Sequence, residues 1–248
     1  MRDDLAEITL TPIARVSSPY KEKFAIPRQA NLVNAAYGKV IFNGKANNSE
    51  LLRGIEQFSH LWLIFIFHET QNRGWKPLVK PPRLGGNKKL GVLATRSTFR
   101  PNPVGMSVVK LEQVEHLENG QVELHISGLD LLDETPIIDI KPYIPYADAF
   151  PCANAGFAQS EPSTSLSVTY LKQAKLDLQK YSKTYPELAL LITQVLAQDP
   201  RPAYKQYQTD EKVYGMKLYD LNIQWQMKSQ KVVEVINITC VTAILTNA

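Results

Sequence analysis

The residues best suited to chemistry lie between Thr95 and Ser107, in the string Thr-Arg-Ser-Thr-Phe-Arg-Pro-Asn-Pro-Val-Gly-Met-Ser. This string contains Arg96 and Arg100, several hydroxyl groups, and Asn102 between two prolines. Because proline fixes φ, such a loop can hold arginine and asparagine side chains in place at low entropic cost. The composition therefore favours a preorganised binding or catalytic site, with an ordinary rigid connection between strands as the alternative.

A second polar group follows between Leu129 and Tyr143 and carries four carboxylates within ten residues. Asp133-Glu134-Thr135-Pro136 has the composition of a turn. Asp139 stands between two isoleucines, where a buried carboxylate would be costly without a partner. Arg96 or Arg100 could supply that partner, so a structural ion pair is the alternative to a catalytic role.

The histidines argue against a metal centre. His60 and His68 lie eight residues apart on a strand predicted over Ser59 to Glu69. At roughly 3.3 Å per residue they are too far apart to share an ion, so we expect no metal ligand and a buried, structural His60. His68 and Glu69 stand where this strand leaves the core, a common position for site residues. Motifs for a Rossmann or Walker nucleotide site, a zinc protease or a serine hydrolase are absent from the sequence.

Charge is distributed unevenly along the chain, although the net charge is only +4. The segment from Thr70 to Leu111 contains no acid, whereas the segment from Glu112 to Glu161 contains ten acids and one base. The nine bases of the first segment, which we call the basic block, are Arg73, Lys76, Lys80, Arg83, Lys88, Lys89, Arg96, Arg100 and Lys110. A basic surface of this kind could bind a polyanion such as RNA. In the alternative, folding brings the two segments together and their charges neutralise each other.

The composition excludes several classes of protein. Of the 248 residues, 44% are hydrophobic and 21% charged, so the chain is neither disordered nor fibrous. Cys152 and Cys240 form no CxxC pair, which excludes a disulfide framework and a thiolate zinc ribbon and indicates a reducing compartment. The longest apolar run, Leu61 to Phe67, is far shorter than the roughly 20 residues of a membrane helix. With no signal sequence apparent, we expect a cytoplasmic protein without a membrane span.

Short β-rich segments separated by proline and glycine dominate the first part of the chain. Strands are predicted over Ile8 to Val16, Gly38 to Phe42, Ser59 to Glu69, Gly91 to Ala94, Val104 to Leu111, Val122 to Leu129 and Thr135 to Ile140. A short helix is predicted over Ser49 to Phe58, where Ser49 can act as N-cap. The strand over Ser59 to Glu69 is apolar on both faces and is expected to be covered on both. This pattern indicates a β-barrel or a strongly bent sheet.

The composition changes after Pro151. Cys152 to Ser165 is small and polar and resembles a linker. The segments that follow predict a strand over Ser167 to Tyr170, helices over Leu171 to Tyr181 and Pro186 to Ala197, and a hairpin of Tyr214 to Gln226 with Val232 to Thr239. We therefore expect a second, smaller α+β unit.

Sequence strings spread over the whole chain match one known family. They are Pro19-Tyr-Lys-Glu-Lys-Phe with Pro27-Arg-Gln, Phe58-Ser-His-Leu-Trp, the string from Thr95 to Ser107, Asp139-Ile-Lys-Pro-Tyr, and Asp199-Pro-Arg-Pro-Ala-Tyr. Together they resemble the TsaA/TrmO family of S-adenosylmethionine-dependent tRNA methyltransferases. The resemblance extends from about Ile8 to Ile236, and the string from Thr95 is highly specific.

This resemblance implies both a fold and a reaction. The fold is mainly β, with a β-barrel methyltransferase domain over residues 1–155, unlike the Rossmann class, and a smaller C-terminal α+β domain over residues 156–248. A homodimer with cofactor sites near the subunit interface is implied as well. The implied reaction methylates N6 of threonylcarbamoyl-adenosine, which follows the anticodon on its 3′ side in tRNA. S-adenosylmethionine and the tRNA anticodon loop are therefore the expected cofactor and partner.

By similarity, the cofactor pocket draws on several separate parts of the chain. Its expected residues are Pro27, Arg28, Gln29, His68, Glu69, Arg96, Met106, Asp133, Glu134, Thr135 and Pro136. Glu134 departs from the family, which often has glycine at this position. If that glycine provides a positive φ or a close approach to the cofactor, Glu134 changes the contact at this turn.

The chemistry of the cofactor matches these residue types. Arg28 or Arg96 suits its carboxylate, since a guanidinium binds a carboxylate through two hydrogen bonds. Asp133 or Glu134 suits its ammonium group or ribose, and Met106 suits an adenine face.

The implied reaction also makes demands on the acceptor side. The target nitrogen is ureido-like, so its lone pair is delocalised and methyl transfer needs in-line positioning and removal of one proton. Asn102 could orient the acceptor, and Asp139 or His68 could accept the proton. Asn102 and Asp139 are accordingly the expected catalytic residues.

The C-terminal unit is expected to place tRNA and not to bind the cofactor. It contains Arg201, Lys205, Lys212 and Lys217 among tyrosines, a mixture suited to phosphates and unstacked bases. The alternative is that this unit only buttresses the barrel or extends the dimer.

Two other functions fit the residues less completely. One is a non-catalytic RNA-binding barrel, in which the basic block and the C-terminal aromatic residues grip unpaired bases. Those aromatic residues are Tyr204, Tyr207, Tyr214, Tyr219 and Trp225. The other is a small-molecule hydrolase that uses the carboxylates, although no pair of nucleophile and base is visible. Binding of S-adenosylmethionine separates the methyltransferase from both.

Overall fold

The structure is a computed structural model that describes residues 7–162, 166–202, 205 and 211–241. Its strands are β1 (Ala14–Ser17), β2 (Tyr37–Phe42), β3 (His60–Ile66), β4 (Leu78–Val79), β5 (Leu90–Gly91), β6 (Val104–His116), β7 (Val122–Ser127), β8 (Pro136–Pro142), β9 (Ser167–Tyr170), β10 (Tyr214–Leu218), β11 (Leu221–Ser229) and β12 (Val232–Cys240). Its α-helices are α1 (Pro145–Asp148), α2 (Lys172–Tyr181) and α3 (Leu188–Ala197). Tyr204 and Tyr207 lie outside the described residues.

Six strands close into an antiparallel barrel in the order β1-β2-β7-β6-β3-β8, which confirms the predicted β-barrel. Side chains alternate along each strand, as the two-residue period of a strand requires. On β3, Leu61, Leu63 and Phe65 are buried in the core, while Trp62 and Ile64 point outward and are only half-buried. The expectation that this strand is covered on both faces therefore holds only in part.

Three connections meet at one end of the barrel, which we call the loop end. They are residues 18–36 between β1 and β2, residues 67–103 between β3 and β6, and residues 128–135 between β7 and β8. Tyr37 at the start of β2 pairs with Ser127 at the end of β7. Ile66 at the end of β3 pairs with Val104 at the start of β6. These registers place the expected cofactor residues of all three connections at the same end of the barrel.

The C-terminal part forms a four-stranded sheet in the order β10-β11-β12-β9, with α2 against β12 and α3 against β9. Leu188, Leu191, Ile192 and Val195 repeat at helical spacing and form the buried face of α3. The predicted C-terminal α+β architecture is confirmed.

The hairpin predicted in this part contains one more strand than expected. The segment Tyr214 to Gln226 is divided into β10 and β11 at a tight turn, where Leu218 pairs with Leu221. Tyr219 in that turn has a φ of 54°, a left-handed conformation that the apolar alternation of the sequence does not reveal.

The helix predicted over Ser49 to Phe58 is wrong. The structure has two separate 3-10 turns, Ser49–Leu52 and Ile55–Gln57. Gly54 between them has a φ of 88°, which a right-handed helix cannot contain.

Other predicted elements differ from the structure at their ends. β6 extends beyond Leu111 to His116, and β1 is shorter than predicted. The predicted strand over Gly91 to Ala94 is wrong beyond Gly91, because Val92–Ala94 forms a 3-10 turn.

The C-terminal part packs directly on the connection between β1 and β2. The Tyr219 amide donates to the Pro19 carbonyl at 2.8 Å, and the Lys217 amide donates to Glu22 Oε1 at 3.2 Å. Further along the same connection, Gln194 Oε1 of α3 accepts from the Ala35 amide at 3.0 Å. The C-terminal part therefore braces the connection that carries Pro27, Arg28 and Gln29.

Candidate functional site

Side chains and backbone join the three connections at the loop end. Arg96 Nη1 donates to Gln29 Oε1 at 2.5 Å, which links the β3–β6 connection to the β1–β2 connection. The Asn31 amide donates to the Gly128 carbonyl at 2.8 Å and links the β1–β2 connection to the β7–β8 connection. Two expected cofactor residues, Gln29 and Arg96, thus lie in direct contact.

Asp130 lies where these three connections meet, although no pattern in the sequence indicates a role for it. Its Oδ1 accepts from Ser107 Oγ at 2.6 Å. Burial raises the pKa of Asp130, while the Ser107 hydrogen bond, backbone hydrogen bonds including that of Ala30, and the charge of Arg96 act in the opposite direction. A half-buried carboxylate whose ionised form is disfavoured by desolvation is costly to build, which marks the position as a functional candidate.

The predicted turn from Asp133 to Pro136 forms, and its side chains hold it in place. Asp133 Oδ1 accepts from the Ser18 amide at 2.8 Å, and its Oδ2 pairs with Lys21 Nζ at 2.5 Å. Thr135 is buried and its hydroxyl donates to the Leu132 carbonyl at 2.7 Å. Both side chains therefore have structural contacts within the loop end.

Glu134 adopts the positive φ that is expected at a position where the family often has glycine. Its φ is 61°, and its exposed carboxylate lies 3.3 Å from Arg15 Nε. The left-handed conformation costs an L-residue roughly 1–2 kcal/mol. The turn thus keeps the geometry of a glycine position while carrying a side chain.

Glu134→Gly is therefore expected to stabilise the protein. The relief of strain exceeds the roughly 0.5–1 kcal/mol entropic cost of glycine, so the melting temperature should rise by about 2 °C. Glu134→Ala is the control, because it removes the exposed Arg15 ion pair but keeps the Cβ and the strain. A lower melting temperature for the glycine variant than for the alanine variant, measured by calorimetry, would contradict this account.

The end of β3 places His68 and Glu69 beside the loop that carries Asn102. The amide of Phe67 donates to the Pro103 carbonyl at 2.8 Å. His68 is half-buried and its Nε2 lies 3.8 Å from Glu69 Oε1, while Glu69 and Asn102 are exposed. These three expected site residues are therefore neighbours along one rim of the loop end.

Met106 and Asp139 lie in one row across the outer face of the barrel. Both pair with Ile64 of β3, Met106 from β6 and Asp139 from β8. Met106 is 53% exposed, which leaves a large apolar side chain open to a ligand. Asp139 pairs with Lys141 at 2.8 Å, so the suggested ion pair with Arg96 or Arg100 is wrong. Residues two apart on a strand share a face, which favours the local lysine.

Arg100 has a structural contact instead. Its Nη1 donates to the Thr95 carbonyl at 2.7 Å and closes the loop in which it lies.

Pro27 is buried within the β1–β2 connection, whereas Arg28 beside it is exposed. Arg28 and Arg96 are the two arginines suited to the cofactor carboxylate. Of these, Arg96 is the one whose guanidinium is held by another side chain, that of Gln29.

The acidic segment neutralises only part of the basic block: Lys110 Nζ pairs with Glu112 Oε2 at 2.9 Å, whereas the lysines of the β3–β6 connection pair with none of the described acids. Lys76, Lys80, Lys88 and Lys89 are exposed and make no ion pair with any described residue. Other acids of that segment pair outside the basic block, as Asp133 does with Lys21. These lysines belong to the β3–β6 connection, so the loop end carries a positive surface.

A cluster of possible metal ligands lies on the barrel wall, away from the three connections. Within the described residues, Glu115, Glu123 and His125 bring their ligand atoms within 4.8 Å of one another. Lys39 Nζ already lies 2.8 Å from Glu123 Oε2 and 3.8 Å from Glu115 Oε2. His125, expected at the surface, is half-buried and bonds Glu115 Oε2 at 2.6 Å. The ammonium group of Lys39 therefore already compensates the negative charge of this cluster.

Two family models match the chain. The model described as the tRNA-methyltransferase O N-terminal domain matches residues 15–149, and that of the TrmO C-terminal domain matches residues 163–241. The chain belongs to the tRNA-methyltransferase O family. The family resemblance of the sequence strings is thereby confirmed.

Members of the tRNA-methyltransferase O family align with almost the whole chain. A protein of Escherichia coli (strain K12) named tRNA (adenine(37)-N6)-methyltransferase is 48% identical over 215 residues, covering 87% of this chain and 91% of that protein. A Pseudomonas aeruginosa protein described as putative S-adenosylmethionine-dependent methyltransferase RcsF is 42% identical over 231 residues, covering 93% and 97%.

The fold is shared with solved TrmO structures. A crystal structure of TrmO from Pseudomonas aeruginosa, 38% identical in sequence, covers 95% of this chain and 100% of its own with a TM-score of 0.79. The similarity thus includes both the barrel and the C-terminal sheet. In the described part of the chain, no helix is long and apolar enough to span a membrane.

Proposed function

We propose that this protein transfers a methyl group to N6 of threonylcarbamoyl-adenosine, 3′-adjacent to the anticodon of tRNA. Membership of the family makes the chain an S-adenosylmethionine-dependent tRNA (adenine-N6) methyltransferase. The modified adenosine as substrate is the finer part of the proposal. The observation that carries the proposal is the contact of Arg96 with Gln29 near the half-buried carboxylate of Asp130 at the loop end.

The charges at the loop end fit the amino-acid tail of S-adenosylmethionine. That tail carries a carboxylate and an ammonium group a short distance apart, and Arg96 and Asp130 offer one partner for each. Gln29 holds the guanidinium in place, so that less side-chain entropy is lost on binding. The exposed thioether of Met106 supplies an apolar surface for the adenine. Pro27, Arg28, His68, Glu69 and the turn from Asp133 to Pro136 complete the proposed pocket.

The bound cofactor supplies an electrophilic methyl carbon. The protein must then orient the acceptor nitrogen in line with the carbon–sulfur bond that breaks, and remove the proton that N6 carries. Asn102, which is exposed near His68 and Glu69, is the residue proposed to orient the acceptor. Asp139 shares the outer row with Met106 and is the proposed proton acceptor, with His68 as the second candidate.

The substrate contacts are divided between the two parts of the chain. The exposed lysines of the basic block lie at the same end as the cofactor residues and can neutralise tRNA phosphates. The domain of residues 1–155 carries the chemistry, and the domain of residues 156–248 helps to place the tRNA. We further propose that the protein acts as a cytoplasmic homodimer, with the exposed Met106 close to the partner subunit.

The test is methyl transfer to two matched tRNA substrates with labelled S-adenosylmethionine. One tRNA carries threonylcarbamoyl-adenosine after the anticodon and the other carries unmodified adenosine. Label is expected in the first at N6, with at most a trace in the second. Equal transfer to both would overturn the modified adenosine as substrate. Cofactor and tRNA binding without any transfer would favour the alternative, a non-catalytic RNA-binding barrel.

A further inference from the structure

A cavity of about 210 Å³ lies where the β1–β2 connection meets the C-terminal sheet. Its lining includes Phe24 from the connection, and Arg201, Lys212, Tyr214, Met216 and Trp225 from the C-terminal part. We call this cavity the junction pocket. None of these residues belongs to the proposed cofactor site, so the pocket is open to a second role.

Aromatic rings and cations alternate in the junction pocket. Tyr214 and Trp225 are stacked, with ring centroids 4.6 Å apart and planes inclined by 16°. Lys212 Nζ lies 5.2 Å and Lys205 Nζ 5.8 Å from the centroid of the Tyr214 ring. Phe24 is 59% exposed. Flat apolar faces next to ammonium groups are the features that bind an unpaired nucleobase together with its phosphate.

One wall of the junction pocket is built at an energetic cost. Arg201 is 1% exposed and binds Asp199 through two hydrogen bonds of 2.7 Å. Asp199 has a φ of 49°, in the left-handed region, which aspartate adopts more readily than most L-residues but still at some cost. A buried ion pair adds little net stability, and strained backbone collects at functional sites. These two features indicate that the wall is shaped for a ligand more than for stability.

The indole N–H of Trp225 is a buried hydrogen-bond donor in the lining of the junction pocket. Trp225 is 3% exposed, and its Nε1 has no hydrogen-bond partner among the described residues. A buried N–H without an acceptor costs free energy that a bound water or ligand can recover.

The junction pocket is close to the cofactor residues along the chain. Phe24 precedes Pro27 by three residues, a span of at most about 10 Å even when fully extended. A nucleotide bound there is therefore within a few nucleotides of a base presented at the loop end.

We propose that the junction pocket binds an unstacked base of the tRNA anticodon loop, a few nucleotides from the adenosine to be methylated. This inference rests on the proposed function and adds the residues that read the RNA. The base stacks on Phe24, and Lys212 neutralises the adjoining phosphate.

Phe24→Ala and Lys212→Ala are expected to weaken binding of an anticodon stem–loop RNA by roughly tenfold each. Both side chains are exposed, so folding is preserved. The affinity for S-adenosylmethionine, measured by calorimetry, should change less than twofold. The matched controls are Leu176→Ala and Lys231→Ala, which remove an exposed apolar side chain and an exposed cation elsewhere in the C-terminal part. These controls should leave RNA affinity unchanged.

A second experiment identifies the bound base. Stem–loop RNAs with a single abasic position at each loop nucleotide in turn are titrated with wild type and with Phe24→Ala. We expect one position at which the abasic RNA loses affinity for the wild type but not for Phe24→Ala, because the stacking partner is already gone. Additive losses at every position would overturn the proposal.

The remaining outcomes separate this inference from the proposed function. RNA affinities of the pocket variants equal to those of the controls would overturn it, as would a loss of cofactor affinity in their place. Binding of free adenosine monophosphate with unchanged RNA affinity would assign the pocket to a small molecule and also overturn it. If the abasic pattern appears but the wild type does not methylate the modified tRNA, the pocket stands and the proposed function fails.

Discussion

Replacement of Arg96 by alanine is expected to weaken S-adenosylmethionine binding by roughly 10- to 100-fold. Arg96 is held by Gln29 at 2.5 Å and lies close enough to Asp130 to influence its pKa. A charge-assisted hydrogen bond to the cofactor carboxylate is worth roughly 1.5–3 kcal/mol, which sets this range. Isothermal titration calorimetry on the purified variant measures the loss directly.

Lys88→Ala and Lys89→Ala are the matched controls for this prediction. Both lysines are exposed in the same connection as Arg96 and make no ion pair with a described residue. Their removal should leave cofactor affinity within twofold of wild type while weakening tRNA binding in a salt-dependent way. If all three variants bind the cofactor equally well, Arg96 is a structural or RNA-binding residue and the proposed pocket is wrong.

Local sequence patterns were sufficient to predict a β-barrel or a strongly bent sheet. β-branched and aromatic runs such as His60–Ile66, separated by proline and glycine, specify short strands with a two-residue period. The family resemblance added that distant strings belong to one site. The contact of Gln29 with Arg96 agrees with that expectation, although 67 positions separate the two residues.

Features that depend on strand register or on long-range packing were not predictable from the same patterns. Asp130 was one of four neighbouring carboxylates, and only the fold shows that it lies against Ser107 and near Arg96. The isoleucine neighbours of Asp139 indicate burial, and Arg96 or Arg100 could then have been its partner. On β8 the Asp139 side chain pairs with Lys141 instead. Only the strand register shows that this local lysine, and not a distant arginine, is the partner.

The sequence also predicts a C-terminal part that is more separate from the proposed cofactor site than the structure shows it to be. The composition after Pro151 indicates a linker, and nothing local connects α3 to residues 32–35. In the structure Gln198 Nε2 donates to the Leu32 carbonyl at 3.2 Å, and Gln194 contacts the Ala35 amide. The C-terminal part therefore supports the connection that holds Gln29, in addition to any role in placing tRNA.

Asp130→Asn is expected to bind S-adenosylmethionine at least tenfold more weakly and yet to be more stable than the wild type at neutral pH. The loss of affinity follows because asparagine cannot neutralise the cofactor ammonium group. Asparagine can still accept the hydrogen bond from Ser107, so the local geometry is preserved. The gain in stability follows because a neutral amide replaces a carboxylate whose ionised form is disfavoured by burial.

The pH dependence of this stability gain has a definite sign. Burial raises the pKa of Asp130 in the folded state above the value of about 3.9 in an unfolded chain. Between these two pKa values the folded state binds more protons, so the contribution of Asp130 to stability falls as the pH rises through the folded pKa. Asparagine does not titrate. The difference in unfolding free energy between variant and wild type should therefore be largest near pH 8 and shrink toward pH 4.

Asp133→Asn distinguishes this effect from a general consequence of removing acidic charge at the loop end. Asp133 pairs with Lys21 at 2.5 Å and accepts from the Ser18 amide, so its neutralisation should lower stability at pH 8. Urea denaturation of both variants at pH 8 and pH 4, together with cofactor titrations, tests the prediction. A more stable Asp130→Asn with unchanged cofactor affinity would show that Asp130 faces no ligand. A less stable variant would show that the Asp130 carboxylate is fully compensated by Ser107 and Arg96. A more stable variant that binds the cofactor weakly would instead mark Asp130 as functional, because a natural protein retains an uncompensated charge at the expense of stability only where function requires it.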